Sequence, residues 1–248
     1  MNRRYFFLFS FFTLIVACSL SVPLLAAQEN EEIAQHIAVL FRSARGVVSD
    51  NQELINDPTK GDKGLNADKF MQLVKDKYKQ IAKQEINLDP STKEGRFMVI
   101  IVKGIRSVVN KAQPLINKEG VGFKGFLPAG FAKQVTDYFK ALSDESAFIK
   151  LTAPHQYVRN RSNQPDDWEA NIIEGKFKNP GWTKGQAFSE MANYKGEQMF
   201  RFIVPEYYTQ SCLNCHGGPK GEHDITGGKK EGAVIGEVGG ALSVIIRP

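Results

Sequence analysis

The residues best suited to chemistry are contiguous: Cys212-Leu213-Asn214-Cys215-His216. Two thiols three positions apart, with an imidazole directly after the second, have the spacing of c-type haem attachment. On a helical turn, positions i, i+3 and i+4 share one face. Both thiols can then form thioethers along one edge of a macrocycle while the imidazole meets its iron from one side. Three other chemistries use similar residues. A tetrahedral zinc site would recruit His223 or His155 as fourth ligand, yet no second ligand pair stands at regular spacing. A thioredoxin-like dithiol expects a preceding strand and a βαβ pattern, both weak here. A bare structural disulfide is the third. A scaffold built on disulfides would need more cysteines than these two, the only ones besides Cys18.

If His216 is one axial ligand, the sixth iron position has few claimants among four histidines and five methionines. His155, in Thr152-Ala153-Pro154-His155, follows an expected strand and could point into the pocket. His36 sits far upstream on a helix, and His223 follows the motif too closely to reach the opposite haem face easily. Met71, Met98, Met191 and Met199 read as core residues. An open sixth position is the remaining alternative.

The elements that must position the motif come from a chain of 248 residues, 42% apolar and 24% charged. That balance suits one globular domain with an extra element, and excludes a disordered chain or a multispan membrane protein. Met1-Asn2-Arg3-Arg4 is a basic start, and an apolar run follows from Tyr5 to Ala27. This reads as an export segment with three endings: cleavage near Ala26 or Ala27, lipidation at Cys18, or retention as an anchor. Export fits haem attachment, and the expected location is the periplasm, soluble or membrane-attached. Losing Arg3 and Arg4 and no acid takes the formal charge from +5 to +3, too little for a nucleic-acid stripe.

Apolar residues at helical spacing predict one long helix over residues 29–56, stopped by Asn56-Asp57-Pro58, then a second from the cap Asn66 to about Gln84. The pattern then recurs at an offset of 61 residues. Arg45, Val47, Val48, Gln52, Leu54, Ile55, Asn56, Lys63, Gly64 and Phe70 return as Arg106, Val108, Val109, Gln113, Leu115, Ile116, Asn117, Lys124, Gly125 and Phe131. This is a duplicated helix-turn-helix unit, and neither copy contains His or Cys. The spacing then turns extended. A strand is expected at 147–153, a helix opened by Pro165-Asp166-Asp167 and running to about Phe177, and strands at 186–194 and 197–204 around a Lys195-Gly196 hairpin. A short helix over 207–216 carries the cysteines. A Gly-rich loop fills 217–232, and a β-rich segment, 234–246, is broken by glycines where a backbone approaches something closely. Three segments follow: 1–27 the export signal, 28–94 an N-terminal helical segment holding the first repeat copy, and 95–248 the haem-bearing domain.

Arg106 to Gln113, Phe123-Lys124-Gly125-Phe126 with Pro128 and Phe131, and Arg159-Asn160-Arg161-Ser162-Asn163 with Pro165, Asp166, Trp168 and Glu169 together resemble one family, and the haem motif completes the match. The closing Gly232, Gly236-Glu237 and Gly240-Ala241-Leu242-Ser243-Val244 is similar to its last strand. This is the haem c family with a PAS-like fold, long catalogued as a domain of unknown function and known in cyanobacteria and as the periplasmic sensor part of some bacterial histidine kinases. The resemblance covers about residues 95–248. It implies an α+β fold, a PAS-like antiparallel sheet with flanking helices and haem held against one face. It also implies one covalent haem c on Cys212 and Cys215 with His216 as proximal ligand. Some members use an upstream cysteine as distal ligand; the only upstream cysteine here is Cys18, so ligation must differ. Arg106, Arg159 and Arg161 are candidates to meet haem propionates, because guanidinium forks suit carboxylates.

Two strong axial ligands would make the protein an electron carrier or redox sensor with a protein partner. An open sixth position would admit NO, CO or O2. Since no kinase, transmembrane linker or HAMP-like helix follows Pro248, electron transfer, or sensing through another protein, is the expectation. Peroxidase-like catalysis with His155, Asp166 or Glu169 as proton donor is a third reading that their spacing does not demand.

Overall fold

The fold is taken from a computed structural model, which describes the backbone from Tyr5 and side chains from Leu25 to Pro248. Cys18 and most of the expected export segment lie outside the residues whose side chains are described. Among the described residues no helix is long and apolar enough to cross a membrane.

Helix α1 (Tyr5–Asp50) and the short α2 (Gln52–Asn56) replace the single expected helix, with a break at Asn51. Helix α3 (Ala67–Ala82) starts where expected, the Asn66 side chain accepting from the Lys69 N–H at 2.9 Å. The second copy is α4 (Lys93–Ile116) and α5 (Pro128–Leu142). Strand β1 (Ala147–Thr152) follows, then α6 (Asp167–Ile172), which widens into a π-turn at Ile173–Phe177. Asp166 rather than Pro165 caps α6, in a reciprocal box with Glu169. Strands β2 (Phe188–Tyr194) and β3 (Glu197–Tyr207) form the expected hairpin; Lys195 and Gly196 both have positive φ, as a primed turn requires. The short α7 (Leu213–His216) carries the motif, and β4 (Val238–Ile246) closes the chain.

The four strands make one antiparallel sheet in the order β1-β4-β3-β2, so this is an α+β fold. Both faces are covered. On one, Phe200, Phe202 and Val204 of β3 stand opposite Ile246, Val244 and Leu242 of β4 and pack against the helices. On the other, Ile203 and Ala241 meet Ile172, Ile173 and Phe177 of α6 and its π-turn. That double burial explains why β3 reads as a nearly continuous apolar run rather than an alternating one. The helical core is continuous with the sheet: residues on both sides of position 94, from Ile33 to Ile246, belong to one buried cluster.

The repeat appears in space as a reciprocal pairing. Gln52 donates to the Phe126 carbonyl at 2.9 Å, and its counterpart Gln113 donates to the Leu65 carbonyl at 3.0 Å. Asn56 accepts from the Lys124 N–H at 3.0 Å, and Asn117 from the Lys63 N–H at 3.1 Å. Each copy's polar helix end therefore stitches the other copy's loop, a pseudo-two-fold arrangement. Asn56→Ala and Asn117→Ala are expected to cost about 1–3 kcal/mol each, because either leaves a half-buried N–H unmade. Urea unfolding of the two single variants checks this, and similar losses are expected from both.

Candidate functional site

The sequence places the motif directly after β3, and two devices steer the connection. The strand runs further than expected, to Tyr207, through a register irregularity at Glu206/Tyr207 that pairs Tyr207 with Val238. Arginines of α1 then hold the strand end: Arg42 Nε and Arg45 Nη1 lie 2.5 and 2.8 Å from the Glu206 carboxylate, and Arg42 Nη2 donates to the Pro205 carbonyl at 2.7 Å. Burial acts to raise the Glu206 pKa, but the two guanidiniums outweigh it and hold it below the ordinary glutamate value. One turn further along α1, Ser49 Oγ reaches Ser211 Oγ at 3.3 Å.

The expected motif helix is shorter than 207–216. Thr209 opens a 3-10 turn, Gln210–Cys212, with its backbone N–H 3.4 Å and its hydroxyl 3.3 Å from Cys212 Sγ, and α7 continues to His216. Cys212 and Cys215 are free thiols, both partly exposed. Burial pushes the Cys215 thiol up, the reverse of what a reactive redox cysteine needs. Gly217 must follow His216: a Cβ there would stand 2.6 Å from the Leu213 carbonyl oxygen.

His216 is oriented by two neighbours that the sequence reading missed. Its Nδ1 lies 2.9 Å from Glu231 Oε2. An ionised carboxylate cannot donate, so the proton of this hydrogen bond is on Nδ1, and Nε2 is the nitrogen left to face a metal. Against the ring lies Tyr208, centroid to centroid 5.3 Å. Tyr208 is buried in a slot that only glycine allows, since a Cβ at Gly239 would stand 2.6 Å from its ring. Tyr157 follows at 6.2 Å from Tyr208, its hydroxyl donating to Glu237 at 2.5 Å; that bond and burial push the Tyr157 pKa up to about 12.

Of the three arginines expected at propionates, Arg159 braces the motif. Its guanidinium donates to Glu231 (Nε, 2.6 Å), to the Cys215 carbonyl (Nη2, 2.7 Å) and to the Lys229 carbonyl (Nη2, 3.0 Å), and pairs through Nη1 with Asp224. Arg106 lies on α4 and pairs with Asp68 of α3. Arg161 is exposed. His155 is exposed and bound to Gln164 at 2.9 Å; His36 pairs with Glu94, and His223 with the Gly227 carbonyl. Met71, Met98 and Met199 are core residues, whereas Met191 is exposed. Asp166 and Glu169 face Arg201 rather than the motif.

Exposed apolar side chains follow closely on the motif. Ala233 donates to the His216 carbonyl at 2.8 Å, which sets Val234 and Ile235 beside the motif, and both are about 60% exposed. Two cysteines free of a disulfide, an imidazole held through Nδ1 and adjacent exposed aliphatics fit a covalently held porphyrin. Zinc fits worse, since among the described residues no three His, Cys, Asp or Glu side chains converge as a cage.

An α+β domain with its motif at the end of a central strand is the class that fold and site define. A family model for Tll0287-like domains matches residues 25–247, and the chain belongs to this Tll0287-like family. The match includes the first helical copy as well as the sheet. No curated protein and no solved structure matches the chain.

The Arg159 network gives the site a pH limit. Burial acts to raise the Asp224 and Glu231 pKa values, but hydrogen bonds outweigh it, from Thr226 and Arg159 to Asp224 and from Arg159 and His216 to Glu231. Both carboxyls end below their ordinary 3.8 and 4.5. Groups with depressed folded pKa values stabilise above the unfolded values, and that stability is lost as pH falls through the folded ones. Urea unfolding should therefore show stability falling as pH drops below about 4.5, with a smaller fall in Asp224→Asn.

Proposed function

We propose that this protein is an exported mono-haem c-type cytochrome that exchanges single electrons with a protein partner. The observation that carries the reading is His216, tautomerically fixed by Glu231, on the same helical turn as two free thiols. Family membership supports it, and the PAS-like architecture and periplasmic location are part of the same reading. Cys212 and Cys215 would hold the haem and His216 its iron, which supplies a one-electron couple when bound. Glu231 keeps the proton on Nδ1 and strengthens the donor character of Nε2. Arg159 fixes Glu231 and the Cys215 carbonyl, so ligand and attachment points move as one body. Val234 and Ile235 supply apolar cover.

A redox-sensing role is the second reading, favoured by the clamp of Arg42 and Arg45 on Glu206. It ties the strand that leads into the motif to α1, so a change at the motif has a mechanical path into that helix.

Expression with the c-type haem maturation machinery, followed by denaturing gel and reduced-minus-oxidised spectra, tests the cofactor. Covalent haem that Cys212→Ala/Cys215→Ala abolishes is the expected result; no covalent haem in the wild type overturns the proposal. A spectrum unchanged by CO would mark a six-coordinate carrier or redox sensor, and a CO-induced shift an open iron suited to gas sensing; His155→Ala reports whether His155 is the sixth ligand. Glu231→Gln should raise the reduction potential by roughly 50–100 mV, since one charge several ångströms away at an effective dielectric of about 20 is worth about 2 kcal/mol, and 100 mV corresponds to about 2.3 kcal/mol. Spectroelectrochemical titration reads it.

A further inference from the structure

The two edges of the sheet differ. Strand β1 is flanked: α5 packs against it, and its Lys150 and Thr152 side chains donate to the carbonyls of Gln164 and Asn163, each at 2.9 Å. Strand β2 has no such flank. Helix α6 meets its face, where Trp168 Nε1 donates to Glu190 at 2.6 Å.

The hairpin decides which backbone groups of β2 point away from β3. Tyr194 pairs with Glu197 across the two-residue turn, and in such a hairpin that pair is hydrogen-bonded. Bonding then alternates. Tyr194, Ala192, Glu190 and Phe188 turn their N–H and C=O groups to β3, while Asn193, Met191 and Ser189 turn theirs outward. The Asn193 carbonyl meets Arg201 Nη1 at 3.4 Å. Among the described residues the outward groups of Met191 and Ser189 have no hydrogen-bond partner. Met191 and Asn193 are exposed. The usual guards against edge pairing are missing: Phe188–Tyr194 contains no Pro and no Lys, pairs with β3 without a bulge, and carries one charge, Glu190.

The residue order fits a second copy of the same strand. An antiparallel pair related by a two-fold axis must set outward residues against outward residues. With the axis at Met191, the whole strand overlaps. Met191 faces its own counterpart, Ser189 faces Asn193 and Glu190 faces Ala192, so no like charges meet. An axis at Glu190 would set that carboxylate against itself, which is unfavourable. An axis at Ala192 would shorten the overlap and run into the Lys195 turn.

We propose that the protein forms a two-fold dimer by antiparallel pairing of β2 with β2 of a second copy, which joins two sheets into one. Pairing of one short strand buries less than the ~1,600 Å2 of a standard interface, so the dimer depends on concentration. It does not rest on the haem reading.

Sedimentation velocity of the full-length protein across the micromolar range tests this, and a monomer–dimer equilibrium is expected. Met191→Pro removes an outward N–H and leaves the β2–β3 ladder intact. It should weaken the dimer about 5- to 150-fold with an unchanged circular dichroism spectrum, since the axis counts each lost bond twice. Ala192→Glu, set against Glu190, should weaken it and Ala192→Lys strengthen it, each by about 2- to 30-fold. That pair of variants decides the matter even if Met191→Pro fails to fold. Repulsion between two chains of formal charge +5 would act the other way, favouring Glu over Lys, and a non-specific apolar contact would be weakened by both. A monomer at every concentration, the edge then being left to a strand of another protein, overturns the proposal. So does a dimer that survives Met191→Pro, or Ala192→Glu and Ala192→Lys shifting it in the same direction.

Discussion

Arg159 presents five N–H groups in a rigid fork, and three stretches of chain meet on them. Nε and Nη2 take Glu231, Nη2 also takes the carbonyls of Cys215 and Lys229, and Nη1 takes Asp224. The Gly-rich segment after the motif, which has little apolar area of its own, is thereby folded back over α7. Gly228 makes room for this, since a Cβ there would stand 2.7 Å from Arg159 Nη1. The fork works together with the backbone bonds from Gly232 to Gly217 and from Ala233 to His216 to hold Glu231 against the imidazole. A lysine offers one point charge where this site needs several directed bonds.

The sheet supplies the plane from which the motif projects. Its central strands are buried on both faces, so their ends are stiff, and the motif hangs from the end of β3 rather than from a mobile loop. Two constraints set the direction of departure. Glu206 is drawn to α1 by two arginines, and Tyr208 is seated on Gly239. The same contacts couple the Arg42–Ser49 stretch of α1 to the strand end and the motif.

The duplicated unit has a packing role. Its matched glutamines and asparagines satisfy the loop backbone of the opposite copy, and the buried ammoniums of Lys63 and Lys124 both turn to the Asp57 carbonyl. Burial and the neighbouring Lys63 charge push Lys124 down, an effect that Asp57 only partly offsets. A repeat with no His or Cys thus builds the wall against which the sheet packs.

Local information was enough for whatever depends on neighbours along the chain. The Cys212, Cys215 and His216 spacing, the Asn66 cap, the Lys195-Gly196 turn, the hairpin strands and the 61-residue repeat are all visible in the residues, because periodicity, turn chemistry and side-chain reach act over a few positions. The break at Asn51, the extension of β3 to Tyr207 and the capping of α6 by Asp166 were legible only to within a few residues, since tertiary pairing decides where an element ends. The fold alone decided the partners of long side chains. Nothing local marks Glu231 as the carboxylate for His216, 15 residues away, or Arg159 as its brace, 56 residues before Cys215. Arg106, an equally plausible propionate ligand by type, pairs with Asp68 on the helical side. A charged side chain goes where its charge is best matched after the chain has closed, and that place is set by the packing of sheet and helices rather than by sequence distance.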